Sequence, residues 1–188
     1  MDLDSNLSVL TTKPAKNLFL IGMMGSWKST LGRKLAKALK FEFIDTDDAI
    51  EELTKMKLAD IFREFGEEKF REMETAFFVE KAKHTGQLFS TGGGIILSAE
   101  NRKVLQENGT TFLLDASPQT LANRINTTTK RPLLSNSDNL KASLEEIWEK
   151  RQGFYKECAH HIISTDNLEP HQVLDEIIKI LDVVNADH

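Results

Sequence analysis

From Leu18 to Thr30 the chain reads Leu-Phe-Leu-Ile-Gly-Met-Met-Gly-Ser-Trp-Lys-Ser-Thr, and the chemistry this spacing offers is anion capture. The apolar run supplies a buried strand, the loop turns backbone N–H groups inward, and a helical pattern from Lys28 adds the positive end of its dipole. A polyphosphate suits such a loop, with Gly25, Ser26, Trp27, Lys28, Ser29 and Thr30 as the residues that face it. Gly22, Lys28 and Ser29 fit the pattern G-x-x-x-x-G-K-[ST], but Trp27 stands where the pattern has glycine. Glycine there takes a positive φ and lets phosphate approach the backbone, whereas a bulky residue in that conformation costs on the order of 1–3 kcal/mol. The sequence therefore predicts a phosphate loop with weakened nucleotide binding, which Trp27→Gly would tighten.

Two carboxylates, Asp45 and Asp47, follow the strand-like run Phe-Glu-Phe-Ile and so sit at its carboxyl end. One can reach the Mg²⁺ shell that Ser29 also touches, and the other can accept a proton from an acceptor hydroxyl. Helix capping by Asp47 is the plainer alternative. Gly92, Gly93 and Gly94 follow another strand-like run, where backbone N–H groups can meet a ligand directly; a simple turn explains a glycine triplet equally well. Ser90 or Thr91 is placed to hold a metal-bound water. Arg71 and Arg151 are candidate guanidinium forks for a carboxylate. Leu58, Phe62 and Phe70 form either an apolar wall beside them or part of the core. Arg131, in a polar, turn-rich stretch, can swing over phosphates as an arginine finger from the same chain, and Arg124, one helical turn before that stretch, can stack on a purine.

The elements that must position these residues alternate. Strand patterns cover Asn17 to Ile21, Phe41 to Ile44, Leu88 to Thr91, Thr110 to Leu114 and His161 to Ser164. Helical spacing covers Lys28 to Leu39, Asp47 to Met56, Leu58 to Phe65, Glu67 to His84, Ala99 to Glu107, Pro118 to Asn126, Leu140 to Cys158 and His171 to Val184. The alternation predicts an α/β fold, three layers α/β/α around a parallel five-stranded sheet, with ligands at the carboxyl ends of the strands. Residues 1–16 read as a flexible N-terminal extension and 17–188 as a single domain. Within it, 22–30 is the phosphate loop, about 46–84 a substrate-facing subdomain, and about 126–139 a lid.

Composition narrows the class. At 188 residues one core suffices, and a net charge of −5 disfavours a nucleic-acid surface. Cys158 is the lone cysteine, so no intrachain disulfide or thiolate metal site forms, which suits the cytoplasm. No apolar run is long enough to span a bilayer, and the five histidines lack metal-ligand spacing.

Seven runs, taken together, resemble the shikimate kinase family in order and spacing from Asn17 to about Val184: Gly22-Met-Met-Gly-Ser-Trp-Lys-Ser-Thr30, Asp45-Thr-Asp47, Leu58-Ala-Asp-Ile-Phe62, Gly66-Glu-Glu-Lys-Phe-Arg71, Gly92-Gly-Gly94, Arg131-Pro-Leu-Leu134 and Lys150-Arg151. The resemblance implies a nucleoside-monophosphate-kinase-like P-loop fold and transfer of the ATP γ-phosphate to the 3-hydroxyl of shikimate, a step toward chorismate and the aromatic amino acids. It further implies that Lys28 holds the β- and γ-phosphates, that Ser29 and Asp45 serve Mg²⁺, and that Asp47 binds and polarises the shikimate hydroxyls. Arg71, Arg151 and the Gly92–Gly94 backbone would bind shikimate, with Leu58, Phe62 and Phe70 lining its pocket. Arg131 would act on the phosphates, and Arg124 with the segment Thr165 to Pro170 would sandwich adenine. A monomer follows by the same analogy. Trp27 is the departure from the family pattern. The competing readings are a small-molecule kinase with another acceptor, such as gluconate, and a catalytically impaired shikimate-binding protein.

Overall fold

A computed structural model of the chain describes residues 16–126 and 140–186; the stretch with Arg131 and most of the predicted lid lie outside these. After Asn17, strand β1 (Asn17–Ile21) is an unbroken apolar run because both of its faces are covered. Helix α1 (Lys28–Leu39) returns the chain to β2 (Glu42–Asp45); α2 (Thr46–Thr54) and α3 (Leu58–Lys81) then precede β3 (Gln87–Ser90). A 3₁₀ turn (Ile95–Leu97) and α4 (Ala99–Glu107) lead to β4 (Gly109–Asp115), α5 (Pro118–Asn126), α6 (Leu140–Cys158), β5 (His161–Ser164) and α7 (Pro170–Ala186).

The five strands pair in parallel in the order β2-β3-β1-β4-β5. Side chains alternate across this sheet. Phe19, Ile21, Phe89 and Leu113 face a cluster with α3, α4, α5 and α6, whereas Leu18, Leu20, Leu88, Phe112 and Leu114 face α1 and α7. The architecture is the predicted three-layer α/β/α. Because β1 lies between β3 and β4, the chain leaves it toward one sheet edge and later returns to its other side, and the loop after β1 opens where the strand order reverses.

Boundaries differ from the expectation at α2 and α3, each for a local reason. Helix α2 begins a residue early because Asp45, in extended conformation, caps it by accepting from the Asp47 and Asp48 N–H groups, and Lys55 in the left-handed region ends it. The two helices predicted on either side of Gly66 run end to end as α3, with a kink at Gly66 (φ 79°, ψ 172°), a conformation that glycine takes without penalty. Ile50, Ile61 and Phe70 form a third, smaller cluster between α2 and α3, onto which Leu58 and Phe62 pack.

Candidate active site

The loop after β1 ends on Trp27, which is the N-cap residue of α1, with φ 68° and ψ 14°. The backbone thus keeps the left-handed conformation that favours glycine, although tryptophan occupies it. No side chain caps this end of α1, and the first turn carries no acidic residue, so its field stays positive. Lys28 is 8% exposed and its ammonium donates to the carbonyls of Gly22 (2.9 Å) and Met23 (2.8 Å) and to Ser26 Oγ (3.4 Å). The next residue, Ser29, donates from Oγ to Asp45 Oδ2 at 2.6 Å and lies 3.0 Å from Ser90 Oγ.

Asp45 therefore does two things: Oδ1 caps α2 and Oδ2 meets Ser29. The capping alternative raised for Asp47 belongs to Asp45 instead, because Asp45 is the extended residue at the strand end and Asp47 already lies in the first helical turn. A hydroxyl beside a carboxylate at the loop mouth is a hard-oxygen donor set that fits Mg²⁺ shared with bound phosphates. Thr91 departs from the water-holding role, since its hydroxyl donates to the Leu20 carbonyl inside the sheet.

On α3 the half-buried Arg71 pairs with the fully buried Glu74. Arg71 Nη1 meets Glu74 Oε2 at 2.6 Å and Nη2 meets Glu67 Oε1 at 3.2 Å. Burial pulls the Arg71 guanidinium down, and Glu74 and Glu67 more than offset it, so its pKa ends above the ordinary value. Burial pushes Glu74 upward, against Arg71, with Asp47 adding to the rise. Glu74 Oε1 and Arg71 Nε are buried with no protein partner. Both residues press on the glycine triplet. A Cβ on Gly92 would fall 2.6 Å from Asp47 Oδ1 and 2.8 Å from Glu74 Oε1, and one on Gly94 would collide with the Arg71 guanidinium.

The triplet is held from behind as well. The Gly92 N–H donates to the buried Thr46 hydroxyl (2.9 Å), so this amide is committed to the protein and does not serve a ligand as the sequence suggested. The Gly93 carbonyl accepts from Arg151 Nη1 (3.1 Å) and from the Tyr155 hydroxyl (2.5 Å). Tyr155 is fully buried, and burial drives its pKa far up, so it stays a neutral donor. Phe70 is a core residue whose edge of the cluster touches Phe62 (centroids 4.7 Å), while the Arg71 guanidinium lies 5.0 Å from the Phe70 ring centre.

Arg124 is the third anchored guanidinium. Its Nη1 and Nη2 donate to the Thr165 hydroxyl (2.9 Å) and carbonyl (2.7 Å). Asp166 in turn accepts from the Ser117 N–H and hydroxyl ahead of α5, fastening the segment that runs to Pro170, the first residue of α7. The Arg124 guanidinium, expected from the sequence to stack on a purine, lies 3.3 Å from the centre of the Trp27 indole.

The separate pieces adjoin. A Cβ on Gly93 would lie 3.6 Å from the Gly22 carbonyl and 3.7 Å from the Met24 N–H of the phosphate loop. Lys28, Ser29, Asp45, Asp47, Arg71, Gly92–Gly94 and Arg151 thus gather at the carboxyl ends of β1, β2 and β3. Three contributors escaped the sequence reading: Glu74, Tyr155 and Thr46. The first two carried a signal, because Glu74 is three residues from Arg71 and Tyr155 four from Arg151, spacings that share a helix face.

The chain matches the family model described as "Shikimate kinase" over residues 24–182. A shikimate kinase of Legionella pneumophila is 43% identical over 166 residues, 88% of this chain and 94% of that protein. One from Thermodesulfovibrio yellowstonii is 40% identical over 164 residues, 87% and 94% of the two chains. Among solved structures, the Acinetobacter baumannii shikimate kinase in complex with shikimate superposes with a TM-score of 0.83 at 33% identity, covering 93% of this chain and 96% of that one. A gluconokinase from Sinorhizobium meliloti shares only the fold, at 16% identity and a TM-score of 0.61. On its sequence and its three-dimensional likeness alike, this chain belongs to the shikimate kinase family.

Proposed function

We propose that the chain phosphorylates the 3-hydroxyl of shikimate with ATP, giving shikimate 3-phosphate and ADP. The observation that supports the reading is that Gly93 adjoins the phosphate loop, a Cβ built on it standing 3.6 Å from the Gly22 carbonyl. This supports a reading in which Arg71 and Arg151 form a carboxylate site beside the phosphate loop, the proximity that in-line transfer requires. In this reading Arg71 and Arg151 take the shikimate carboxylate, and Glu74 fixes the Arg71 fork. Asp47 accepts the proton of the attacking hydroxyl, at the rim shared by β2 and β3.

Lys28 neutralises charge on the β- and γ-phosphates from its place among loop oxygens, and the α1 N-terminus adds to that field. Ser29 and Asp45 would hold Mg²⁺, which supplies charge neutralisation between phosphates. In our reading Arg131 adds positive charge on the phosphates, from the stretch proposed as the lid, and residues 46–84 serve as the acceptor-facing subdomain. We assign the chain to the cytoplasm as a monomer acting on free shikimate, without nucleic-acid partners. Among the described residues no helix is long and apolar enough to cross a membrane. A coupled ADP-release assay with ATP and Mg²⁺ tests the function. Shikimate-dependent release is expected and gluconate is not expected to replace shikimate; release with gluconate alone, or none with shikimate, would overturn the assignment.

A further inference from the structure

Trp27 is at once strained and stacked. Its left-handed backbone is unfavourable for a bulky residue, and the fixed guanidinium of Arg124 lies over its indole, 3.3 Å from the ring centre. That guanidinium cannot readily turn away. It is pinned through two hydrogen bonds to the buried Thr165, and the neighbouring Asp166 is bonded in turn to Ser117. The indole also packs against the hydrophobic cluster under α1 and α7, so it sits inward, on the side of the phosphate loop where the Thr165–Pro170 segment passes.

We infer that in the nucleotide-free chain the Trp27 indole occupies the stacking place of the purine on Arg124, so that the base of ATP binds only by displacing it. This rests on the reading of Arg124 and the Thr165–Pro170 segment as the purine site. Phosphate recognition should change little when the ring alone is removed, because alanine keeps the Cβ at 27 and Lys28 stays tied to the Gly22 and Met23 carbonyls. The residue therefore acts on specificity: it lowers the share of nucleotide affinity contributed by the base and leaves the share contributed by the phosphates. A ring that stacks on a cation is exchanged for another, so the handicap is of the size of one cation–π contact, roughly two- to thirty-fold in affinity.

The test compares ADP with tripolyphosphate, which carries the phosphates without a base, both with Mg²⁺, by titration calorimetry. Trp27→Ala removes the ring and keeps a Cβ on the strained backbone; Trp27→Gly removes both. We expect Trp27→Ala to bind ADP roughly two- to thirty-fold more tightly and tripolyphosphate unchanged. In a Trp148→Phe chain, where Trp27 is the remaining tryptophan, ADP should shift the indole emission and tripolyphosphate should not. Weaker ADP binding by Trp27→Ala would overturn the inference and make the indole a platform beneath the base. Parallel gains for ADP and tripolyphosphate would also overturn it and assign the effect to loop conformation. If the parent and Trp27→Ala both bind ADP no better than tripolyphosphate, the purine reading of Arg124 itself fails.

Discussion

Gly94→Ala should disable the acceptor site without touching the donor site. At φ −105° and ψ 1° the Gly94 backbone suits alanine, so the substitution carries no conformational strain. Its methyl group would land on the Arg71 guanidinium, meeting Nη1, Nη2 and Cζ together. Carbon and nitrogen settle near 3.5–4 Å, so the guanidinium must retreat by about 1 Å or more. The retreat disturbs a fork held at 2.6 Å by Glu74 and 3.2 Å by Glu67. A guanidinium moved that far loses its paired geometry toward a carboxylate, and one charge-assisted hydrogen bond is worth about 1.5–3 kcal/mol. We therefore expect the shikimate KM to rise roughly ten- to 150-fold with the ATP KM unchanged, and the thermal midpoint to fall, because the buried Glu74 carboxylate loses part of its pairing.

Steady-state ADP release at varied shikimate and varied ATP separates these terms. A double-mutant cycle sharpens the cause: in an Arg71→Ala background Gly94→Ala should add less than about 0.5 kcal/mol, because the group it displaces is gone. A shikimate KM within twofold of the parent, or full additivity with Arg71→Ala, would refute the steric reasoning.

Further expectations follow from other contacts. Asp45→Asn keeps a capping oxygen for α2 and should change stability by only a few tenths of a kcal/mol, yet raise the Mg²⁺ concentration needed for half-maximal rate; Asp45→Ala should also lose roughly 0.5–2 kcal/mol in urea unfolding. Glu74 has a folded pKa above its ordinary value, so its contribution to stability is present below that value and lost as pH rises through the folded one. Glu74→Gln should therefore gain on the parent chain in unfolding free energy as pH is raised above the ordinary glutamate value of 4.5, while its shikimate KM rises; a loss instead would contradict burial as the dominant cause. Cys158 is buried and its thiol is pushed up to about 12 by burial first and by Glu157 second. At about pH 8 the folded chain should react with a disulfide reagent on the order of a thousandfold more slowly than the urea-unfolded chain, and comparable rates would refute that shift.

Where the sequence carried a strong period and a cap, the structure follows it. Helix α4 spans the predicted Ala99–Glu107, with Ser98 accepting from the Asn101 N–H at its start, and α1, α5 and α6 also keep their expected bounds. What local pattern cannot supply is how remote segments share one group. Asp45 was read as a metal ligand, but its capping oxygen depends on the extended geometry of a strand end. Gly92 reads as a free donor until β3 is paired beside β2 and Thr46 comes within 2.9 Å. Tyr155 and Glu74 look like ordinary helix residues, because their partners lie on the 92–94 turn and on the same helix face, and only tertiary packing shows that both are buried. The stack of Trp27 on Arg124 joins residues 97 apart in number, so the sequence showed the anomaly at position 27 and not the contact that accommodates it.

Positions 27 and 94 are two glycine-like sites that resist side chains for different physical reasons, and the chain exploits the difference. At 27 the obstacle is conformational. The backbone there is fixed from both sides, by the Leu31 N–H bonding to the Trp27 carbonyl (2.9 Å) and by Lys28 tying Gly22 and Met23, so the loop imposes its shape on whatever residue stands in it. The strain, on the order of 1–3 kcal/mol, is comparable to what a cation–π contact returns, about 0.5–2 kcal/mol, so a fold of ordinary stability tolerates tryptophan. At 94 the backbone is relaxed and the obstacle is the Arg71 guanidinium, which is held where it is by Glu74 and Glu67. A conformational cost is spread over the whole fold, but a steric one falls on the single group it displaces. That is why this chain accommodates a tryptophan in its phosphate loop, and why a methyl group only two residues beyond Gly92 should cost it the acceptor.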